Sequence, residues 1–316
     1  MNKTIVLTGA SGFVGGAIAR ALLRQGEHLV CPSRQPLSWQ AEQMRNPPMT
    51  ELAPDSDWSD CLRAAEIVIH CAARVHVMQE AALDPLAEFR RVNVAATLNL
   101  ARQAAAAGVR QFVFLSSVKV NGEATLPGQP FTENSPPQPQ DAYGVSKLEA
   151  ESALLALGRE TGMAITIVRP PLVYGPGVKA NFLSMLRWVK KGLQLPLASI
   201  HNRRSFVYLE NLVSLVLCCL RHAQAGQQVF LVSDDCDVAT PDLLRGCAAA
   251  LGLRARLLPC PPALLYGLAR LAGRPAAAGR LCQSLQVDIA KARTVLGWVP
   301  PYTLEQGLRA TTSTLK

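Results

Sequence analysis

The first fifteen residues constrain the fold more than any other part of the chain. Lys3-Thr-Ile-Val-Leu-Thr8 is short, apolar and β-branched, and it runs directly into Gly9-Ala-Ser11-Gly12-Phe13-Val14-Gly15. Ile18, Ala19, Leu22 and Leu23 then recur at helical spacing. The pattern predicts a strand, a tight turn and a helix. Glycine lets the backbone turn sharply and approach a phosphate, and a helix amino terminus offers N–H groups to its charge. Gly9, Ser11, Gly12, Phe13, Val14 and Gly15 are therefore candidate contacts for a dinucleotide, although the spacing is GxxGxxG and not GxGxxG. Further β-rich segments at 29–31, 67–70, 112–115 and 165–168 alternate with helical stretches. Such alternation predicts an α/β fold built on a doubly wound parallel sheet. Pro- and Gly-rich breaks follow at 122–139, expected to be a mobile loop over the cleft, and at 169–177, expected to cross into a smaller domain.

Composition limits the class. A chain of 316 residues with 49% hydrophobic residues buries a substantial core. The longest apolar stretch, 215–220, is far too short to span a bilayer, and nothing near the start resembles a signal peptide, so a cytoplasmic enzyme with no membrane span is expected. Nine cysteines are scattered without CxxC or Cys/His spacing, which predicts reduced thiols, no disulfide and no metal. The formal charge is +9, but there is no long basic run with interleaved aromatics, so nucleic-acid binding is not expected and an anionic small substrate accounts for the sign.

The chemistry is carried by Asp141-Ala-Tyr143-Gly-Val-Ser-Lys147. Tyrosine and lysine four residues apart share a helix face. A free phenol titrates near a pKa of about 10, and a neighbouring ammonium favours the phenolate, bringing the group toward working range. Placed after a nucleotide turn, the pair points to hydride transfer on a carbonyl or carbinol.

These segments together resemble the extended short-chain dehydrogenase/reductase family, in particular its nucleotide-sugar epimerases, dehydratases and reductases. The resemblance covers nearly the whole chain. His70-Cys-Ala72-Ala73 is similar to the family's cofactor turn after the fourth strand, and Val92-Asn93-Val to its following helix. Phe112-Val-Phe-Leu-Ser116-Ser117 resembles the strand that carries the catalytic hydroxyl, and Arg169-Pro170-Pro-Leu-Val-Tyr174-Gly-Pro-Gly177 the loop against cofactor and substrate. Asn181-Phe182 and Arg204-Ser-Phe-Val-Tyr are similar to its nucleotide-sugar contacts, and the tail at 291–300 resembles a common family ending.

The resemblance implies a Rossmann domain formed by 1–173 with 204–234, and a smaller α/β nucleotide-sugar domain formed by 174–203 with 235–316. It implies Ser117, Tyr143 and Lys147 as catalytic residues, with Lys147 also on the nicotinamide ribose. Ser116, facing the other way on the strand, reads as structural. Ala72, Ala73, Asn93 and Pro170 are implied on the cofactor side, Asn93 as a bridge to backbone. Lys119, Asn181, Arg204 and Arg280 are implied on the substrate side, the two arginines toward a diphosphate. A homodimer is a further expectation.

Two departures narrow the activity. Dehydratases of the family carry an Asp-Glu pair after the catalytic hydroxyl residue, where this chain has Val118-Lys119. The acidic residue that would accept from the NAD ribose is replaced by Cys31-Pro-Ser33-Arg34, whose guanidinium suits a 2′-phosphate and favours NADP(H) over NAD(H). The stretch Ser116-Ser-Val-Lys-Val-Asn-Gly122 resembles that of reductases acting on UDP-4-keto-6-deoxy-N-acetylhexosamines in surface-polysaccharide synthesis, and this resemblance implies reduction of the C4 ketone of such a sugar as the expected function. A UDP-sugar 4-epimerase holding NAD, an NADPH-dependent reductase of a non-sugar ketone, and a catalytically silent NADP(H) sensor are the alternatives.

Overall fold

The computed structural model describes residues 3–49, 51–75, 84–271, 273 and 275–315. The first six strands are β1 (Thr4–Thr8), β2 (His28–Val30), β3 (Met44–Arg45), β4 (Ile67–His70), β5 (Gln111–Leu115) and β6 (Ala164–Arg169). Five more strands follow, β7 (Leu172–Tyr174), β8 (Gln194–Leu195), β9 (Phe206–Tyr208), β10 (Gln228–Leu231) and β11 (Arg256–Leu257). Seven form one sheet in the order β10-β6-β5-β4-β1-β2-β3, and every neighbouring pair is parallel. The chain thus has the doubly wound Rossmann architecture, with its order reversing between β1 and β4. There the strands' carboxyl ends part and leave a crevice.

Side-chain alternation explains how both faces are covered. Ile5 and Leu7 belong to one buried cluster, with Ile18 and Leu22 of the helix Phe13–Arg24 and Leu212 and Val216 of the helix Leu209–Cys219. Val6 points the other way, with Leu100 of the helix Ala96–Ala106 and Leu154 of the helix Ala142–Thr161. The first cluster also takes in Tyr174, Phe182, Leu285, Val287, Trp298 and Leu308, so sheet and carboxyl-terminal residues share one core. Burying both faces leaves near-continuous apolar strands, which is why β1, β4, β5 and β6 were legible from sequence.

The strands β3 and β10, and the pairs β7 with β9 and β8 with β11, were not foreseen. The 122–139 stretch also differs from expectation. It is fastened, not loose: Thr125 and Phe131 donate backbone N–H groups to Ser284 O at 2.9 Å and Gln286 O at 2.8 Å, and Asp288 N donates back to Phe131 O at 2.8 Å. All nine cysteines are unpaired thiols. No described helix is long and apolar enough to cross a membrane, and no group of described side chains has the makings of a metal site.

Candidate active site

At the reversal point the glycine turn is crowded by backbone. Gly9 has φ +78°, and a Cβ there would meet Ala72 N at 2.8 Å; one at Gly15 would meet Gly9 O at 2.2 Å. No side chain can be added, so the chain doubles back as closely as a pyrophosphate cradle requires. The helix that follows has no side-chain cap at Gly12 and no acidic residue in its first turn, which leaves its positive end to a ligand. In front of it lies a cavity of about 470 Å³. All six glycine-turn candidates line it, together with Arg34, Ala72, Ala73, Tyr143 and Lys147. The described lining contains no carboxylate.

Met49, Leu52 and Trp58 also line this cavity. Trp58 is fully buried, and its indole Nε1–H has no hydrogen-bond partner. An unsatisfied buried donor costs roughly 1–3 kcal/mol, so its place on a cavity wall fits a ligand that accepts from it. Cradle, uncapped helix and orphaned donor together fit an adenine dinucleotide. Sequence reading missed Trp58 because nothing local distinguishes it from a core tryptophan.

The helix Ala142–Thr161 brings Tyr143 and Lys147 to the other side of the cavity. Asp141 caps it by accepting from Gly144 N at 2.7 Å, and Gly162 ends it at φ +77°. Lys147 is 2% exposed; its Nζ donates to Leu115 O at 2.9 Å and sits 4.3 Å from the centre of the Phe114 ring. Burial pushes its pKa down to about 8, opposed by Cys71 and Glu151. Burial likewise holds the Tyr143 phenol above its ordinary range, and the Asp141 carboxylate adds to the shift. This corrects the expectation that Lys147 depresses the tyrosine: the ammonium lies over the Tyr143 ring, 5.9 Å from its centre, and loss of solvent dominates both groups.

Beneath this pair is a closed polar network. The Ser116 hydroxyl donates to the Glu151 carboxylate, whose other partner, Arg169, donates from Nε at 3.0 Å and Nη2 at 2.5 Å. Arg169 Nη1 also donates to Asn121 Oδ1 at 3.1 Å. Ser116 is thus structural as expected, though it lines the cavity as well. Ser117 caps the short turn Val118–Val120 by accepting from Lys119 N at 3.2 Å. Lys119 is tied to Asp141 and, at 3.2 Å, to Glu123. Burial disfavours its charge, but the two carboxylates outweigh that and hold its pKa above the ordinary value.

Behind the cradle His70 is fully buried between Thr8 Oγ1 at 2.7 Å and Thr97 Oγ1 at 3.0 Å, and burial together with Lys147 keeps it neutral, its pKa pushed down to about 3. Asn93 bridges backbone as foreseen: it accepts from Arg74 N at 2.8 Å and donates to Arg74 O and Ser146 Oγ, both at 3.0 Å. Pro170 is buried, and its carbonyl accepts from Val118 N at 3.0 Å. Neither lines the cavity.

The substrate-side candidates lie apart from the glycine cradle. Asn181 is exposed at the start of the helix Ala180–Lys190, and Arg280 is exposed on the helix Pro275–Cys282. Arg204 bridges to both Val238 and Leu285 through its backbone, and its Nη1 donates to Gln283 O at 2.9 Å. Burial disfavours its charge, and none of its described contacts is a carboxylate. A larger groove of about 650 Å³, lined by Arg24, Ser214, Cys218 and Trp298 among others, contains none of the candidate residues.

The profile of the NAD dependent epimerase/dehydratase family matches residues 5–233. Over 98% of its length the chain is 42% identical to a UDP-glucose 4-epimerase of Vibrio cholerae, covering 95% of that protein. It is 30% identical to a GDP-6-deoxy-D-mannose reductase of Pseudomonas aeruginosa over 98% of this chain and 96% of the other. Among solved structures, the UDP-glucose 4-epimerase of Thermotoga maritima superposes with a TM-score of 0.76 at 21% identity, covering 99% of this chain and 98% of that one. Glycine cradle, Tyr-Lys helix and full-length similarity agree: the chain belongs to the NAD dependent epimerase/dehydratase family of extended short-chain dehydrogenase/reductases.

Proposed function

We propose that this enzyme reduces the C4 ketone of a UDP-linked 6-deoxy-N-acetylhexosamine with NADP(H). The observation that carries the reading is Arg34 on a dinucleotide cavity whose described lining offers no carboxylate to ribose hydroxyls. A guanidinium there pairs with a 2′-phosphate, and a phosphorylated cofactor suits a one-way reductase.

Bound in the cavity, NADPH supplies the hydride. Tyr143 gives its proton to the C4 oxygen. A phenol held above its ordinary pKa by burial stays protonated at neutral pH, the form in which reduction begins. Lys147, charged below about pH 8, would orient the ribose, and its positive charge favours the phenolate left when Tyr143 gives up its proton. Ser117 donates to the same substrate oxygen. Gly9, Ser11, Gly12, Phe13, Val14 and Gly15 hold the pyrophosphate, Met49, Leu52 and Trp58 the adenine, and Ala72 and Ala73 flank the ribose, while Asn93 and Pro170 brace the adjoining loops. Arg204 binds the sugar-nucleotide diphosphate, with Arg280, Asn181 and Lys119 toward the nucleotide sugar. The working unit is a homodimer in the cytoplasm, without nucleic acid.

A 4-epimerase with bound NAD is the second reading, favoured by the 42% identical relative of that name. The test is to incubate the purified enzyme with UDP-4-keto-6-deoxy-N-acetylglucosamine, UDP-N-acetylglucosamine and UDP-galactose, with and without NADPH, and to follow products by NMR. The reductase consumes NADPH with the keto-sugar alone. Interconversion of C4 epimers without added reductant would overturn it in favour of the epimerase. Under the reductase assay Tyr143→Phe lowers kcat by about 100-fold or more while NADPH affinity, measured by calorimetry, is retained; unchanged turnover would remove Tyr143 from the chemistry.

A further inference from the structure

Charge is unevenly spread along the chain. No Asp or Glu occurs between Glu160 and Glu210, nor between Asp242 and Asp288, while arginines recur in both stretches. The fold lays these two stretches side by side, because β8 pairs with β11 in parallel, Gln194 against Arg256 and Leu195 against Leu257. Large apolar side chains stand in water about that seam: Trp188 is 40% exposed, Leu193 45%, Leu253 43% and Leu258 46%.

The next helix, Pro262–Leu271, extends the pattern. Its sequence, PALLYGLARL, is apolar on nearly every face, a composition that belongs in a core or against lipid. Yet Leu264 is 54% exposed and Leu271 88%. Single exposed leucines are ordinary; this many, in stretches that also carry exposed Arg187, Lys191, Arg254, Arg256 and Arg270 and no acidic residue, point to a contact surface.

We propose that this face docks on an anionic lipid bilayer. A ten-residue helix is about 15 Å long, half the hydrocarbon thickness, so it lies in the interface and does not span. Trp188 suits the headgroup level, and the arginines pair with lipid phosphate. A second copy of the chain is a poorer occupant, since joining two such faces sets cation against cation and neither stretch carries an acid to pair with them. The helix Pro262–Leu271 packs on the helix Pro275–Cys282, directly before Gln283, whose carbonyl holds Arg204. Docking therefore sets the sugar-side arginine close to the membrane surface, whichever sugar and cofactor the enzyme uses.

The test is co-sedimentation of the full-length protein with vesicles of phosphatidylcholine, with or without phosphatidylglycerol. The protein sediments with the anionic vesicles, less so as salt rises, and stays in solution with phosphatidylcholine alone. Leu264→Glu with Leu271→Glu abolishes sedimentation with the melting temperature unchanged, both residues being exposed. Arg254→Ala and Arg270→Ala each weaken it about fivefold. No binding to anionic vesicles, or binding that survives the paired leucine changes, would overturn the proposal. So would a fall in particle size of the leucine variant in analytical ultracentrifugation, which would make the face a protein interface.

Discussion

Arg169 and Arg204 stand on opposite sides of the molecule's division of labour, and they are satisfied in opposite ways. Arg169, 5% exposed, forks onto Glu151 and reaches Asn121, and Glu151 is claimed in turn by Ser116. Arg204 leans on a single carbonyl, that of Gln283, with no described carboxylate in contact although burial disfavours its charge. A closed network holds loops in place and has nothing left to offer a ligand. An open guanidinium keeps donors for an anion that arrives from outside.

The contrast is broken most forcefully at Glu151. Glu151→Gln strands a buried guanidinium, and the expected loss is about 3–5 kcal/mol of stability, read by chemical denaturation. A change below about 1 kcal/mol would mean the network is not the scaffold described.

Lys147 is a third kind of buried cation, held by a carbonyl and an aromatic ring. Its native pKa is near 8 against 10.5 in the unfolded chain, so between those values the unfolded state carries more protons and stability rises with pH. The stability of the wild type relative to Lys147→Met should climb by about 3 kcal/mol from below pH 8 toward pH 10.5 in the ligand-free protein. Only the difference is informative, because buried thiols such as Cys31 and Cys247, pushed up to about 12, lower stability with rising pH in both proteins. A flat difference would place the lysine in water.

Arg204→Ala sharpens the contrast from the other side. It should raise KM for a UDP-sugar by about 10- to 150-fold with NADPH affinity unchanged, because a charge-assisted ligand contact is lost, while losing the single bond to Gln283 O costs only about 1 kcal/mol of stability. Destabilisation on the scale of Glu151→Gln would make it a second Arg169. The smallest effect is expected at the exposed Arg34. Arg34→Ala should cost about tenfold in NADPH affinity and nothing in NADH affinity by calorimetric titration; equal losses for both would dissociate Arg34 from the 2′-phosphate.

The cofactor side was legible because its signals are local. A strand, a glycine turn and a helix follow one another within 4–24, and Tyr143 and Lys147 need only one helix to share a face. The proposed sugar side is built from distant pieces: Arg204 is fixed by backbone bridges to Val238 and Leu285, and β8 meets β11 across some sixty intervening residues in strands two residues long. Periodicity cannot announce such strands. Electrostatics were misjudged for a different reason. The charge of Lys147 can be read from sequence, but the extent to which burial opposes it and the Tyr143 phenolate appears only when Phe114, Leu115 and Cys71 close around them.

The core that joins Ile5 and Leu7 of the sheet to Leu285, Val287, Trp298 and Leu308 makes the two halves inseparable. A chain cut after residue 233 retains all seven strands of the main sheet and the whole span matched by the family profile. It nevertheless lays bare one face of its own interior, and it removes the segment to which the 122–139 stretch is sewn. Such a fragment is a poor candidate for a stand-alone coenzyme-binding module. With one core shared between them, the two halves of the intact chain are expected to melt in a single transition in calorimetry, so that a ligand held by one half also steadies the other.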